Sequence, residues 1–457
     1  MRQQSSWLPR LPEGADTPSE RLASALAEDI LAGRLGSGER LPAHRDLSFR
    51  LGIGLGTVTK AYALLERRGL VRSVRGRGTF VAVAQARRGP VIDLSRNVPP
   101  AALGDRVLAR TLSAIARRVD AAFFNGYPGV TGHEEYRRLM ARWFMRFGLD
   151  ADPARLLLTG GAQHALAVAM STACGAGGTL FMEAETYAGA IASARHAGIR
   201  VRGIEMDGEG MSPGALERAL RDHDGSPAAV YVIPTMQNPT TVTMGRGRRE
   251  AIIRLCRRHD LPIIEDDVYS LEPNPACPQL VTLAPDRVFY VNSLSKTLNP
   301  TLRIGGLLVP GPLFDKAAAA VHATGLMVAS LSCAVLEQWL IDGTATAIAQ
   351  SIRKEAETRQ DIALSILGDR MRRPGHVGHH IWVPLPDADA QRLDAAAAAL
   401  GISVTPRAAT VARADGLVSG IRLCIGGPSI PELTSALERI AGILDGMAPV
   451  SSLASAI

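Results

Sequence analysis

Apolar residues recur at helical spacing in three short segments near the start of the chain. The first segment covers residues 19–32, the second follows Pro42 and stops at Gly52, and the third runs from about Thr57 to Arg68. A period of three to four residues places the apolar side chains of each segment on one face. The pattern therefore predicts three short helices.

Two β-rich pieces, residues 70–74 and 79–83, follow the third predicted helix and flank the glycine-rich residues 75–78. Three short helices and a glycine-tipped hairpin are typical of a winged helix-turn-helix, whose third helix enters a DNA major groove. A dinucleotide-binding loop is a poorer interpretation of GIGLGT, because no strand precedes it and no acidic residue stands at the required distance. The side chains expected to meet phosphates and base edges are Arg45, Thr57, Thr59 and Lys60, with Arg75 and Arg77 on the hairpin.

From about Val98 onward, short apolar runs alternate with helical stretches. The runs are RLLLTG, GTLFME, RVRGIEM, AAVYVIP, LPIIEDD and DRVFYVN. This alternation predicts an α/β fold with a largely parallel sheet, whose ligands bind at the carboxyl ends of the strands. We expect a first domain at residues 17–83, a linker at residues 84–97 and a second domain at residues 98–450.

The composition narrows the class of protein. The chain has 457 residues, of which 46% are hydrophobic and 21% are charged, so it can bury a sizeable core and is not a disordered chain. No run approaches the roughly 20 apolar residues of a membrane span, and residues 1–10 are too polar for a secretion signal. We expect a cytoplasmic protein without a membrane segment. The five cysteines stand singly, which favours neither a metal site nor a disulfide framework.

The positive charge is concentrated in the first fifth of the chain. Residues 1–88 contain 15 Lys+Arg and 8 Asp+Glu, whereas residues 89–457 contain 36 of each, so the first segment carries the whole net charge of +7. A short basic terminus can arise by chance. A basic module joined to a neutral body is also the pattern expected when one part binds a polyanion such as DNA.

Lysine is rare in this chain, which has only four lysines among its 51 basic residues. Lys296 follows the apolar run VFYVNSLS and precedes TLNPTLRIGG, so it stands at the end of a predicted strand. Burial in a dry cleft lowers the pKa of a lysine because desolvation disfavours the ammonium ion, and a neutral lysine can form a Schiff base. Considered alone, Lys296 is better interpreted as an ordinary strand-end residue.

The neighbours of this lysine change that interpretation. Ser293 and Ser295 supply hydroxyls, and Arg303 supplies a planar cation suited to phosphate. Residues 159–163 precede a helix expected to begin near His164, so their amides can bind a dianion. The side chains suited to contact a cofactor ring are Asp266, Tyr269 and Asn238. A lysine, a phosphate loop and a carboxylate for a ring nitrogen together indicate a pyridoxal phosphate site.

Residues 41–81 resemble the GntR family of bacterial regulators along nearly their whole length. Arg45 matches the arginine of the second helix, Thr57 matches the threonine that opens the recognition helix, and Gly76 and Gly78 match the wing. The chain departs from the family at residues 54–56, where Gly-Leu-Gly replaces Ser-Arg-Asn or a relative of it. DNA binding remains the prediction, but the arginine that usually contacts a base is missing.

From about residue 98 to 445 the chain resembles the aminotransferases of fold type I, and as a whole it resembles the MocR subgroup of GntR regulators. The motifs are SLSKTLNPTLRIGG, TGGAQHAL, EAETYAG, IIEDDVY, QNPTT, GYPGVTGHEEYR and IRLCIGG. The resemblance implies an aspartate aminotransferase-like domain with large and small subdomains, and pyridoxal 5'-phosphate bound covalently by Lys296. Thr241 and Thr301 depart from the family's glycines and are expected to narrow the loops around the cofactor.

The resemblance also assigns individual roles. It implies that Tyr127 reaches the phosphate of the partner subunit's cofactor in a homodimer, and that Arg422 pairs with a substrate carboxylate. It makes Lys296, Asp266 and Tyr269 the catalytic residues. The remaining residues implied to contact the cofactor are Gly161, Ala162, Gln163, Tyr187, Asn238, Ser293, Ser295 and Arg303.

Two hypotheses of function follow. In the first, a dimeric regulator binds double-stranded operator DNA and senses an amino compound or vitamin B6 status, with the amine exchanging at Lys296. In the second, the chain is a working aminotransferase that transfers an amino group between an amino acid and a 2-oxo acid. A protein that only bridges DNA would leave the cofactor motifs unused. We favour regulation, because an enzyme alone has no use for Arg45, Lys60 and the basic wing.

Overall fold

The chain forms two compact units, residues 1–90 and 91–457, in a computed structural model. Within them the structure describes residues 17–31, 34–35, 39–67, 70–74, 78–81, 91–118, 125–127, 129–412 and 419–447. Each unit is described by itself below.

The first unit is a three-helix module with a hairpin, which confirms the predicted winged helix-turn-helix. Its elements are α1 (Pro18–Leu31), α2 (His44–Leu51), α3 (Leu55–Arg67), β1 (Val71–Val74) and β2 (Gly78–Val81), and the two strands pair antiparallel. A small core holds it together, because Leu22, Leu47 and Val58 from the three helices are fully buried. The hydroxyl of buried Tyr62 donates to the carbonyl of Pro42 over 2.9 Å, which ties α3 to the entry of α2.

The turn between α2 and α3 is shorter than the sequence suggests. Gly52 ends α2 in the left-handed conformation with a φ of 63°, which glycine adopts at no steric cost. The carbonyl of Gly54 accepts the backbone N–H of Thr57 at 3.0 Å, so the helix begins at Leu55 rather than at Thr57. The start at Thr57 is therefore wrong by two residues. The predicted contacts Arg75 and Arg77 lie outside the described residues.

A seven-stranded sheet forms the centre of the second unit. The strands of this unit are β3 (Ile92–Asp93), β4 (Leu156–Thr159), β5 (Thr179–Glu183), β6 (Arg200–Ile204), β7 (Met206–Asp207), β8 (Gly210–Met211), β9 (Ala228–Val232), β10 (Ile263–Asp266), β11 (Val288–Ser293), β12 (Gly305–Leu308), β13 (His380–Pro384), β14 (Ile402–Ser403) and β15 (Gly420–Cys424). The order in the large sheet is β4-β12-β11-β10-β9-β5-β6, and every neighbouring pair is parallel except those of β12. The six predicted strands and the largely parallel sheet are confirmed.

Helices cover both faces of this sheet. The helices are α4 (Asp105–Arg118), α5 (Glu134–Phe144), α6 (Ala162–Ala173), α7 (Ala188–His196), α8 (Pro213–Arg221), α9 (Arg246–Arg258), α10 (Leu280–Leu283), α11 (Phe314–Gly325), α12 (Ser330–Ile341), α13 (Thr344–Leu367), α14 (Asp387–Ala399) and α15 (Ile430–Asp445). Alternate strand residues enter different cores: Tyr231 and Ile264 pack with α6, α7 and α11, whereas Val230 and Ile263 pack with α5, α8, α9 and α12. Helix α6 begins at Ala162, two residues before the predicted start.

A smaller layer completes the second unit and corresponds to the expected small subdomain. Strands β13 and β15 pair antiparallel, β14 pairs parallel with β3, and α13, α14 and α15 contribute to a separate apolar core. Because β3 belongs to this layer, residues 91–97 of the expected linker are part of the second unit. Apolar Leu94, which is fully buried, anchors this segment.

Among the described residues, the cysteines form no disulfide and no metal cluster, and no single helix is suited to span a membrane. Four cysteines are buried, Cys277 is half-buried, and all five are free thiols. No cluster of His, Cys, Asp and Glu among the described residues is arranged to hold a metal ion. In the part of the chain described, no single helix has the length and apolarity needed to cross a membrane; only the pair Gly311–Gly325 and Ser330–Ile341, bent by 115°, reaches that threshold when taken together.

Candidate functional site

A tight loop between β4 and α6 forms the first part of the site. Gly161 has a φ of 90°, and a Cβ atom at this position would lie 2.4 Å from Nη2 of Arg303. That nitrogen donates to the carbonyl of Gly160 over 2.9 Å, and Nη1 of the same guanidinium donates to Oγ of Ser295 over 3.4 Å. A Cβ atom on Gly305 would lie 2.7 Å from the carbonyl carbon of Gly161. The two glycines thus let the guanidinium of Arg303 approach the N-terminus of α6. A cation and a helix N-terminus side by side are suited to bind a dianion.

Lys296 follows β11 and its amino group lies inside the second unit. Its Nζ donates to the backbone carbonyl of Asn97 and lies 5.8 Å from the centroid of the Tyr269 ring. The ring Nε2 of His379 lies 3.0 Å from the backbone carbonyl oxygen of Lys296. Burial lowers the pKa of Lys296 to about 8, which increases the neutral, nucleophilic fraction near neutral pH.

Asp266 ends β10 on the sheet face that α6 and α7 cover. Its Oδ2 accepts the hydroxyl of Tyr231, from the neighbouring strand β9, over 2.8 Å. Its Oδ1 is buried and has no hydrogen-bond partner among the described residues. Burial raises the pKa of Asp266 to about 7, so a buried cation beside it would favour the ionised carboxylate.

A chain of hydrogen bonds links the small subdomain to the large sheet. Nη1 of Arg422 donates to Oδ1 of Asn238 over 2.6 Å, and Nδ2 of Asn238 donates to the hydroxyl of Tyr269 over 2.9 Å. Nη2 of Arg422 donates to the carbonyl of Ser95 over 2.9 Å and to Oγ1 of Thr405 over 2.8 Å. Since all these groups are at least partly buried, they hold the guanidinium in a defined orientation at the site.

The predicted ring contact Tyr187 is tied to the phosphate loop. Its hydroxyl donates to Oε1 of Gln163 over 2.9 Å, while Nε2 of Gln163 donates to the carbonyl of Gly189 and to Oγ of Ser193. The side chain of Gln163 is therefore occupied by hydrogen bonds to α7 and Tyr187. Its backbone N–H remains available to bind a phosphate at the start of α6.

The profile of the family "Aminotransferase class I and II" matches residues 89–440 of the chain. The chain belongs to the class I and II aminotransferase family. The profile of the bacterial regulatory proteins of the gntR family matches residues 18–81, which correspond to the three-helix module and its hairpin. The aminotransferase-family chain thus carries a GntR helix-turn-helix in front of its main domain.

Relatives share this combination of domains. The chain is 28% identical to the probable rhizopine catabolism regulatory protein MocR of Rhizobium meliloti over 78% of each chain. It is 29% identical to the transcriptional regulator TauR of Rhodobacter capsulatus, over 86% of this chain and 90% of TauR. The second unit resembles a kynurenine aminotransferase from Pyrococcus horikoshii, solved with PMP, with a TM-score of 0.70, 26% identity and coverage of 79% of this chain and 92% of that chain. The chain is thus similar to regulators of the MocR and TauR kind over most of its length.

Pyridoxal 5'-phosphate is the cofactor of this aminotransferase family, and the residues present fit it. The buried, unpaired Oδ1 of Asp266 is an acceptor suited to a protonated ring nitrogen. Gly161 and Gly305 clear the space in which Arg303 and the start of α6 can bind the phosphate. Lys296 has the lowered pKa that covalent attachment requires.

The remaining predicted residues lie at the end of β11, at an exposed position before α5, and on the helices of the first unit. Ser293 ends β11, where its Oγ accepts the backbone N–H of Ser295 over 3.3 Å. The side chain of Tyr127 is 81% exposed. In the first unit, Arg45 and Lys60 are exposed, Thr57 is half-buried, and the hydroxyl of exposed Thr59 donates to the carbonyl of Leu55 over 3.0 Å.

Several residues of this site were not predicted from the sequence. Tyr231 contacts Asp266, Asn97 contacts Lys296, and Ser95 and Thr405 contact Arg422. His379 contacts the backbone carbonyl of Lys296, and His380, the first residue of β13, contacts the side chain of Asn97. The paired histidines in the string HVGHHIWV could have indicated these contacts from the sequence, because buried histidines outside a metal site often belong to a hydrogen-bond network.

Replacing Gly161 by alanine is expected to weaken pyridoxal phosphate binding about tenfold or more, because the new methyl group displaces Arg303 from the phosphate loop. Equilibrium titration of the apoprotein with the cofactor measures this. Gly177→Ala is the matched control: Gly177 has a φ of 78°, but nothing lies within 4 Å of its added Cβ. Equal losses in the two variants would show that backbone strain, rather than the displaced guanidinium, is responsible.

Proposed function

We propose that this GntR-family regulator senses an amino compound that carries a carboxylate, through pyridoxal phosphate held in its second unit. The first unit supplies exposed basic side chains for operator DNA, and the second supplies a covalent site for the amine. When bound, the cofactor supplies an aldehyde and an electron-withdrawing ring. The residues of the chain supply its attachment point at Lys296, its ring partner at Asp266 and its phosphate ligands.

The observation that carries this proposal is the position of Ser95 and Asn97. The carbonyl of Ser95 accepts Nη2 of Arg422 over 2.9 Å, and the carbonyl of Asn97 accepts Nζ of Lys296. An effector carboxylate on Arg422 competes with the carbonyl of Ser95, since a carboxylate is the stronger acceptor for a guanidinium. An amine that takes the place of Lys296 on the cofactor leaves Nζ free to donate to the carbonyl of Asn97. Both events act on residues 95–97.

This segment lies close to the DNA-binding unit along the chain. Residues 91–97 open the second unit and follow directly after residue 90, the last residue of the first unit. A ligand that changes the hydrogen bonds of Ser95 and Asn97 therefore changes the segment to which the DNA-binding unit is attached. The effector can change operator affinity through this segment, because the effector binds the two states of the segment with different free energies.

The experiment is a spectral titration of the cofactor-loaded protein with amino acids and with amines, followed by gel shifts on DNA flanking its gene. We expect one class of amino acid to change both the visible band of the cofactor and the affinity for DNA. A ligand that changes the band without changing DNA affinity at any salt concentration would contradict regulation through this site.

Arg422→Lys tests the role of the carboxylate. A lysine cannot form two parallel hydrogen bonds to a carboxylate, so the affinity for the amino acid is expected to fall about tenfold or more. The control is the matching amine without its carboxylate, whose affinity should change little. The measurement is the same spectral titration, and equal losses for both ligands would argue against carboxylate recognition by Arg422.

Active transamination is the second candidate, and the catalytic set favours it. The pKa of Lys296 is lowered to about 8 by burial, as a base that removes a proton from the substrate Cα requires. Asp266 is placed to stabilise a protonated ring nitrogen. Rapid turnover of an amino acid with a 2-oxo acid, without DNA binding at any salt concentration, would support this alternative.

We also propose that the protein is a cytoplasmic homodimer, since operator DNA lies in that compartment and Tyr127 is exposed. A residue that contacts the cofactor of the partner subunit must stand clear of its own subunit, and the Tyr127 side chain is 81% exposed. Analytical ultracentrifugation measures the oligomeric state.

A further inference from the structure

Asn97 connects three residues of the cofactor site, although no motif of the sequence points to it. Its backbone carbonyl accepts Nζ of Lys296. Its side-chain Nδ2 lies 3.3 Å from the hydroxyl oxygen of Tyr269 and 3.1 Å from Nδ1 of His380. Its Oδ1 is buried and has no partner among the described residues.

The ring of His380 determines how this amide is oriented. Nε2 of His380 lies 3.3 Å from the carbonyl oxygen of Gln237, which can only accept, so Nε2 carries the proton. Burial lowers the pKa of His380 to about 3, which keeps the ring neutral. Its Nδ1 is therefore an acceptor, and only the NH₂ group of Asn97 can satisfy it. The same ring packs edge-on against Tyr269, with centroids 5.3 Å apart.

Two amides then converge on the hydroxyl of Tyr269. Nδ2 of Asn97 donates to it at 3.3 Å, and Nδ2 of Asn238 donates to it at 2.9 Å. Asn238 is held in this orientation because Arg422, which can only donate, faces its Oδ1. Two donors use both lone pairs of the hydroxyl oxygen, so the next hydrogen bond that Tyr269 makes is one in which it donates.

We propose that His380 and Asn97 are positioning residues that orient the hydroxyl of Tyr269 as a donor to the bound cofactor. This inference rests on the proposed function, which places Tyr269 in the cofactor site. Two accepted hydrogen bonds polarise the hydroxyl and strengthen the bond it donates. A donor to an anionic oxygen favours the deprotonated form of the ligand, so this network lowers the pH at which the bound cofactor changes its protonation.

The test compares Asn97→Ala, His380→Phe and the double variant in the full-length, cofactor-loaded protein. Phenylalanine keeps the edge-on ring but removes Nδ1 and Nε2. Each single variant is expected to weaken cofactor binding roughly three- to tenfold, the effect of about one hydrogen bond. Each should also raise the pH midpoint of the visible band by about half a unit or more. The nearby charged groups Lys296, Asp266 and Arg422 are unchanged in these variants.

The double variant and a conservative replacement separate positioning from general damage. Because the two residues act through one hydroxyl, the double variant should lose little more than the worse single variant. His380→Gln retains an acceptor for Asn97 and a donor for Gln237, so it should restore the wild-type midpoint. Arg96→Ala is the control in the same segment, since the Arg96 side chain is 82% exposed, and it should leave the midpoint unchanged.

The proposal is overturned if His380→Phe and Asn97→Ala leave the midpoint at its wild-type value, or if their effects simply add. It is also overturned if His380→Gln behaves like His380→Phe. Its failure is distinguishable from failure of the proposed function, because the latter appears in the wild-type protein as a missing cofactor band or as a DNA affinity that no ligand changes.

Discussion

Replacing Lys296 by alanine is expected to abolish the visible absorption band of covalently bound pyridoxal phosphate and to make the cofactor removable by dialysis. The band depends on a covalent link, and the chain offers one buried lysine with a lowered pKa at the end of β11. The phosphate loop remains in this variant, so noncovalent binding should persist at lower affinity. Absorbance spectra before and after dialysis, with and without borohydride reduction, measure both effects.

Lys354→Ala is the matched control, because Lys354 is exposed on α13 and far from β11 in the chain. Its spectrum should equal that of the wild-type protein. A Lys296→Ala variant that keeps a band fixed by borohydride would show that another lysine binds the cofactor. A wild-type protein that stays colourless after reconstitution would contradict cofactor binding altogether.

The main strands and the motif-bearing loops were predictable because their patterns are local. Strand β9 is a continuous apolar run, and β10 and β11 begin with apolar residues, as buried parallel strands require; β10 then ends at Asp266 and β11 at Ser293. Asp266 lies at the end of β10, and Asn238 and Lys296 follow β9 and β11, so sheet topology alone brings them together.

Strand β12 was not predicted because it begins with two glycines, which have low strand propensity. The structure explains them: a Cβ atom on Gly306 would lie 2.6 Å from Cζ of Phe144, and one on Gly305 would strike Gly161. A close approach between layers thus selects glycine inside a strand. No local pattern reveals this requirement.

The partners of the site residues were also beyond prediction. Tyr231 reaches Asp266 only because β9 and β10 are adjacent in the sheet, and strand order was unknown from the sequence. Asn97 lies 199 positions from Lys296 and 283 from His380, so no spacing connects them. Residues 91–97 looked like a linker because a two-residue strand leaves almost no periodic signal.

Thr241 illustrates a departure whose consequence the structure makes specific. It has a φ of 63°, in the left-handed region where a β-branched residue is strained and where the family's glycine fits readily. The residue lies beside the loop that carries Asn238, and its hydroxyl donates to the carbonyl of Thr240 over 2.6 Å. The strain is therefore located next to the amide that orients Tyr269.

Reversing the charge of two exposed residues of the first unit is expected to produce the second large effect. Arg45→Glu with Lys60→Glu should reduce operator affinity about tenfold or more and lower the slope of log affinity against log salt by about two, one for each phosphate contact. Arg45 lies at the start of α2 and Lys60 in α3, both exposed. Gel shifts or fluorescence anisotropy over a range of salt concentrations measure both quantities.

The matched control reverses charge elsewhere in the chain. Lys354→Glu changes an exposed lysine of the second unit, so it tests whether a long-range field rather than a contact is responsible. Its salt slope should equal that of the wild-type protein, and the cofactor band should be unchanged in all variants. If Lys354→Glu reduced affinity as much as the double variant, α2 and α3 would lose their assignment as the helices that meet DNA. Because residues 54–56 lack the arginine common in the GntR family, we expect phosphate contacts to supply a larger share of the binding here, so the loss should extend to all DNA sequences.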